Sequence, residues 1–279
     1  MSGTLYVVGT PIGNLGDISP RALSTLEEVD FIAAEDTRVT LKLLNHFGIK
    51  KPMVSYFEHN KHERGEIICQ RILNGENCAI VTDAGMPCIS DPGEMLIKQC
   101  IEYNIATQVV PGPSAVISAL AISGLPTGRF TFEGFLSVNK KSRKEHLNEV
   151  KNEKRTMIFY EAPHKLNATL KDMLDCFGDR KISIVRELTK IHEEVISTTL
   201  QKAVEDYKEA PLKGEIVLII EGATIEENTE EYTLDDAVKM AVAMAENEDI
   251  SISEATKRTA KLTGIKKGNI YKAITEGGN

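Results

Sequence analysis

Three short β-branched runs in the first 120 residues each break into a loop that neither a helix nor a strand interior tolerates. LYVV runs into GTPIGNLG (5–16), CAIV into TDAGMPCISDPG (78–93), and ATQVV into PGPSA (106–115). Glycine lets a ligand approach the backbone closely, and proline sets the loop's shape in advance. One such loop reads as an ordinary strand-to-helix turn. Three of them after three strands favour a small-molecule cleft at the carboxyl rim of an open sheet, where α/β folds place their ligands. The first loop is not G-x-G-x-x-G, and no G-x-x-x-x-G-K-[ST] occurs, so a P-loop is excluded.

A fourth run, FIAAED (31–36), and helical spacing over 20–29 and 64–74 complete a strand–helix alternation. This predicts an α/β layer with a mainly parallel sheet over residues 1–122. The texture then changes. TFEGF, TMIFYEA, KISIVREL, EVISTTL and EIVLIIEG are five strand candidates separated by only two or three helices, the clearest at 165–177. They predict a second α/β domain, mixed or antiparallel, over 123–223. Residues 224–279 form a third segment, opening with an acidic linker (223–232). A helical stripe follows from Leu234, and Ser251 with Glu254 spells a capping box for a second helix that stops near Gly264. Lys266 to Ile274 reads as a third helix, giving a helix-turn-helix outline.

The chain's net charge of −8 argues against a protein coated in positive charge, but basic groups are clustered locally. Residues 251–274 hold Lys257, Arg258, Lys261, Lys266, Lys267 and Lys272 against Glu254 alone, which points to nucleic-acid backbone contact. The run 140–155, with Lys140, Lys141, Arg143 and Lys144 at its head, reads equally as a solvated helix face or as a grip on RNA phosphates. Five cysteines without a C-x-x-C pair, no secretory signal and no apolar run long enough for a bilayer suggest a cytoplasmic protein without membrane or structural zinc.

GTPIGN, AEDTR (34–38), TDAGMPCISDPG, VPGPSA, FYEAPHKL (159–166), RELTKIHEE (186–194) and KGEIVLIIEG (213–222) occur in this order. Together they resemble the small-subunit ribosomal RNA methyltransferase branch of the tetrapyrrole methylase superfamily. The resemblance implies two α/β domains with a ligand cleft between them and a small C-terminal helical domain. It also implies S-adenosylmethionine as methyl donor, no metal, and a homodimer. The expected reaction is methylation of the ribose 2′-hydroxyl of a cytidine in the decoding region of 16S ribosomal RNA, as naked RNA or in the assembled small subunit. Carried over by position, cofactor contacts fall at Pro11, Asp83, Gly85, Met86, Ile89, Ser90, Ser114, Ala115, Ala162, Glu215 and Val217. The chain departs from its tetrapyrrole-modifying relatives at Gly85-Met86-Pro87, where they carry G-D-P; Asp83 or Asp91 is expected to compensate.

A ribose hydroxyl is a poor acid, so the enzyme must position it and offer a proton acceptor. Candidates are Glu35, Asp36 and Arg38, then Glu161 and His164. Of these, Asp36, Arg38, Glu161 and His164 are expected at the reaction, with Arg38 as a phosphate clamp. Arg186 and Glu187 read as an ion-pair cluster. Two other functions compete: a methylase acting on a tetrapyrrole-type small molecule, and a non-catalytic RNA-binding ribosome-assembly factor. Glu35-Asp36-Thr37-Arg38 and the basic tail weigh against the first, and three intact rim loops weigh against the second.

Overall fold

A computed structural model describes residues 2–208, 212–224 and 232–276, so most of the expected acidic linker lies outside the described residues. The chain falls into two compact units, Met1–Ala223 and Thr224–Asn279. The first unit holds two five-stranded sheets.

The first sheet is built from β1 (Thr4–Val8), β2 (Phe31–Ala34), β3 (Met53–Ser55), β4 (Cys78–Val81) and β5 (Ala106–Val110). All its pairings are parallel, in the order β3-β2-β4-β1-β5. Alternate side chains of β2 and β4 enter different cores. Phe31, Ala33 and Ile80 pack with α3 (Lys61–Leu73) and α4 (Gly93–Glu102), while Ile32, Ala34 and Val81 pack with α1 (Pro20–Glu28) and α2 (Thr37–His46). Burial on both faces is why these strands are continuously apolar and not alternating. β4, β1 and β5 are neighbours, so the three glycine- and proline-rich loops emerge side by side from one rim.

The second sheet is mixed, as its texture predicts. Its strands are β6 (Phe130–Phe135), β7 (Thr156–Glu161), β8 (Lys181–Arg186), β9 (Glu194–Thr199) and β10 (Ile216–Ile220), in the order β6-β7-β10-β8-β9. Only β6 and β7 pair in parallel. One face buries α6 (Lys140–Glu149), α7 (Leu166–Phe177) and α8 (Leu200–Asp206). The other packs Ile158, Val185, Val217 and Ile219 against α5 (Ala115–Ile122) and Ile12 of the first rim loop. That shared core joins the two sheets and places the rim of the first opposite β7 and β10 of the second.

The second unit contains α9 (Leu234–Glu248), α10 (Ile252–Thr263) and α11 (Lys267–Glu276) around Ala237, Ala241 and Ile270. Gly264, in the left-handed region, ends α10 where expected. The capping box differs from its sequence outline. Ser251 accepts from the Glu254 backbone, but the Glu254 side chain turns to Arg258 instead of reaching back. The complete box belongs to Thr233 and Asp236, at the start of α9.

Candidate functional site

The rim loops are fastened to one another before they meet any ligand. Thr10 and Gly85 exchange both backbone hydrogen bonds, at 3.0 and 3.1 Å. Gly9 and Gly112 cross back to back: a Cβ on Gly9 would stand 2.6 Å from the Gly112 Cα, a distance no side chain survives. Met86 fills the remaining gap, its Sδ accepting from the Gly112 N–H at 3.3 Å. The chain's departure at this position thus brings a packing contact between two loops in place of an acid.

The loop after β4 is wound around one carboxylate. Asp91 accepts from the backbone N–H groups of Cys88 (3.0 Å), Ile89 (3.3 Å) and Gly93 (2.8 Å). Cys88 and Ser90 are held at φ 69° and 66°, a region that L-residues enter at a cost. Burial raises the Asp91 pKa, opposed by these amides. Burial also lifts the Cys88 thiol to about 12, closing it to thiolate chemistry. Replacing Asp91 with alanine strands three amides, of which those of Cys88 and Gly93 are part-buried. We expect a loss of about 2–3 kcal/mol, a melting temperature roughly 4–12 °C lower; calorimetry showing no change would mean that other contacts hold the loop.

Between the sheets runs a cleft with two connected lobes of about 170 and 390 Å³. The first is lined by Glu35, Thr82, Gly85, Met86, Ile89, Ser90, Asp91, Ser114 and Val116, the second by Glu161, Ala162, Pro163, Val185, Leu188, Glu215, Ile216 and Val217; Ile12, Ala84, Ala115, Phe135 and Tyr160 border both. Ser114 stands at the N-cap of α5, yet its hydroxyl makes no capping bond. A bulge in β6 with Gly134 at φ 67° leaves only 3.8 Å between a built Cβ and Ser90 Oγ, so the second sheet closes directly over the loop. Phe135, 58% exposed at the mouth, tilts against Tyr160 with ring centroids 5.3 Å apart.

The cleft therefore gathers Gly85, Met86, Ile89, Ser90, Ser114, Ala115, Ala162, Glu215 and Val217. Pro11 and Asp83 are placed elsewhere: they line a neighbouring recess on the α2 side of the rim. Phe135 and Val185 had no signal beyond their apolarity, whereas Tyr160 lies inside the FYEAPHKL motif and Leu188 inside RELTKIHEE.

The charged candidates separate sharply. Asp36 caps α2 and grips Arg38 through three side-chain contacts, Nη2–Oδ2 2.6 Å, Nε–Oδ1 3.0 Å and Nε–Oδ2 3.2 Å. That partner lowers the Asp36 pKa to about 2, so Asp36 is not poised to take a proton. Glu35 instead reaches the cleft, with Oε2 accepting from Thr82 Oγ1 at 2.6 Å. Glu161 borders the cleft but is committed inward, accepting from its neighbour Ala162 N–H (2.7 Å) and Thr169 Oγ1 (2.5 Å). His164 is exposed and lines neither lobe. Arg186 pairs with Glu194, and Lys190 with Glu187 and Glu215, a cluster of ion pairs as the sequence suggested.

Of the basic candidates, Arg143 does not face solvent. It is 8% exposed and bonded to Asp172 at 2.9 and 2.7 Å, because α6 turns this position toward α7. Lys140 and Lys141 are exposed, and Lys144 is half exposed. In the C-terminal unit, Arg258 pairs with Glu248 and Glu254, Lys257 lies 3.9 Å from Glu254, and Lys267 donates to Ser253 Oγ. Lys261 and Lys266 are exposed. Among the described residues no three His, Cys, Asp or Glu side chains gather as a metal site, and no helix is long and apolar enough to cross a membrane.

The pattern of the Tetrapyrrole (Corrin/Porphyrin) Methylases matches residues 4–204. The chain is 45% identical over 277 residues to the "Ribosomal RNA small subunit methyltransferase I" of Synechocystis sp., covering 98% of each. It is 47% identical over 274 residues to that of Halalkalibacterium halodurans, covering 96% of this chain and 93% of the other. The Thermotoga maritima protein of the same name is 47% identical over 220 residues, 79% of this chain but 99% of its own length. Solved structures share the fold at low identity. Uroporphyrin-III-C-methyltransferase from Thermus thermophilus superposes with a TM-score of 0.55 at 18% identity, covering 78% of this chain and 94% of that one. Diphthine synthase gives 0.56 at 14% identity, covering 79% and 90%.

Proposed function

The chain belongs to the tetrapyrrole (corrin/porphyrin) methylase family, and from that membership we propose that it transfers a methyl group from S-adenosylmethionine to a ribose 2′-hydroxyl of small-subunit ribosomal RNA, at a cytidine of the decoding region. The observation that carries this reading is the convergence of three fastened rim loops on one cleft, in a chain 45% identical along 98% of its length to a protein named "Ribosomal RNA small subunit methyltransferase I".

The cleft's second lobe suits the donor in size and chemistry: about 390 Å³, within the ~300–1,000 Å³ common for small-molecule sites, with apolar walls from Val185, Leu188 and Val217. When bound, S-adenosylmethionine supplies an electrophilic methyl on a sulfonium, whose charge disappears in the transfer. Low-polarity walls that exclude water help such a step. Ala115 and Ala162 hold the donor in the second lobe, and the backbone and small side chains from Gly85 to Ser90, with Ser114, orient its reactive end from the adjoining first lobe. Glu35, at the rim end of the cleft, takes the hydroxyl proton, and Arg38, 84% exposed beside it, holds a phosphate of the RNA.

We read the working form as a cytoplasmic homodimer. Four of the five residues of edge strand β5 are exposed, as are Ile117 (53%) and Ile122 (43%) on α5, an apolar surface suited to a second copy; a monomer in sedimentation equilibrium would remove this part. The test of function is methyl transfer from labelled donor to small subunits, with the modified nucleotide mapped. Label on a base rather than a ribose overturns the reading. Label accepted by a tetrapyrrole instead of RNA would move the chain to the small-molecule branch.

A further inference from the structure

The recess that holds Pro11 and Asp83 lies beside the cleft and not in it, and its walls differ from those of the cleft. It encloses about 360 Å³ between the loop after β1 and α2, with Pro11, Leu15, Val39 and Leu43 among its walls and Thr10 and Thr82 also bordering it. Leu15 and Val39 remain 41% and 38% exposed, so the apolar surface opens to solvent. Along α2, Arg38, Lys42 and His46 follow at four-residue intervals and form one basic stripe. Lys42 and His46 line the recess itself, and neither forms an ion pair among the described residues. Asp83 contributes a carboxylate with one oxygen on the Asp36 N–H (3.1 Å); the other oxygen has no hydrogen-bond partner among the described residues.

Thr82 lines both the recess and the cleft, and it is the residue whose hydroxyl bonds Glu35. A nucleotide whose ribose reaches Glu35 therefore has a second cavity one residue away. An apolar slot with a single acidic acceptor and the Lys42 ammonium and His46 imidazole along one edge matches a nucleobase attached to a phosphate backbone, and base-modifying enzymes routinely take such a base out of its stack.

Resting on the reading of this chain as an RNA methyltransferase, we propose that the recess receives the base of the target nucleotide, with Asp83 accepting from its exocyclic amine and the α2 stripe holding the flanking phosphates. An acidic acceptor selects against uracil, the one RNA base without an exocyclic amine.

The test uses the full chain, small ribosomal subunits as substrate and S-adenosylhomocysteine as probe of the cleft. Leu15→Arg fills the recess from an exposed position, and Lys42→Glu with His46→Glu reverses the stripe at exposed sites. We expect each variant to keep its melting temperature and its affinity for S-adenosylhomocysteine, while KM for subunits rises about tenfold or more. In the double variant the salt dependence should also flatten by about 0.7 in log–log slope, the release expected for the one phosphate contact of the Lys42 ammonium on a single strand. An unchanged subunit KM in both variants overturns the proposal, and so does an equal loss of S-adenosylhomocysteine affinity, which would give the recess to the donor. Wild-type protein that transfers no methyl to subunits overturns the functional reading first and this inference with it.

Discussion

Glu35→Gln should lower turnover by about 10²–10⁴-fold, the range general-base groups contribute, while S-adenosylhomocysteine and subunit binding stay within roughly threefold. The substitution preserves size and the hydrogen bond from Thr82 Oγ1, and removes only the capacity to accept a proton. Asp36 sits one residue away, but its carboxylate is spent on Arg38 and on the first turn of α2. Its folded pKa of about 2 lies below the unfolded value near 3.9. The stabilisation from its pairing is therefore present above that unfolded value and is lost only as pH falls through about 2. While Arg38 holds its carboxyl below the usual carboxylate range, Asp36 is not expected to supply an acid limb of the rate profile between pH 4 and 8. Asp36→Asn should accordingly reduce kcat far less than Glu35→Gln, with its loss appearing in KM for RNA through a loosened Arg38. Steady-state kinetics on the two variants decide the matter. Wild-type kcat in Glu35→Gln, or an equal collapse in both, would remove Glu35 from the reaction.

How much of this was readable beforehand depends on whether the cause was local. The rim loops declared themselves because glycine and proline restrict the backbone wherever they fall, and their convergence followed from β4, β1 and β5 being neighbours. Among the described residues, nine of the ten strands lie inside the apolar runs that predicted them to within one residue; β3 escaped because Met53–Ser55 is three residues long and half-buried at an edge. The site was less legible. Pro11 and Asp83 belong to the right loops, but a loop has two sides, and the Thr10–Gly85 bridge turns them toward α2. Glu35 and Asp36 are adjacent in AEDTR, and only the geometry of the α2 cap tells which carboxylate remains available. Phe135 borders the cleft just past a bulge in β6 that composition does not announce.

Arg143 shows the same limit in the run 140–155 and carries the largest stability effect we expect. Asn139 caps α6 through bonds to the Lys141 and Ser142 amides, which sets the helical phase and turns Arg143 and Leu147 inward while Lys140 and Lys141 face out. The Arg143 guanidinium bonds Asp172 Oδ2 twice and donates to the Ser137 and Val138 carbonyls, pinning the segment after β6 to α7. Arg143→Ala leaves the Asp172 carboxylate buried at 6% exposure, with only the half-exposed Lys144 ammonium 4.0 Å from its other oxygen. Removing one member of a buried pair costs about 3–5 kcal/mol, a fall in melting temperature of roughly 6–20 °C for a unit of this size. Replacing both partners with apolar side chains, Arg143→Met with Asp172→Leu, removes the stranded charge and should recover most of that loss. Arg143→Lys keeps the charge but forfeits the paired geometry, and should fall between them. If calorimetry instead finds Arg143→Ala as stable as the parent while its KM for subunits rises, the guanidinium faces RNA and the inward geometry is wrong. Lys140→Glu with Lys141→Glu provides the contrast, because both ammonium groups stand in solvent: stability should hold, and any loss should appear in RNA binding alone.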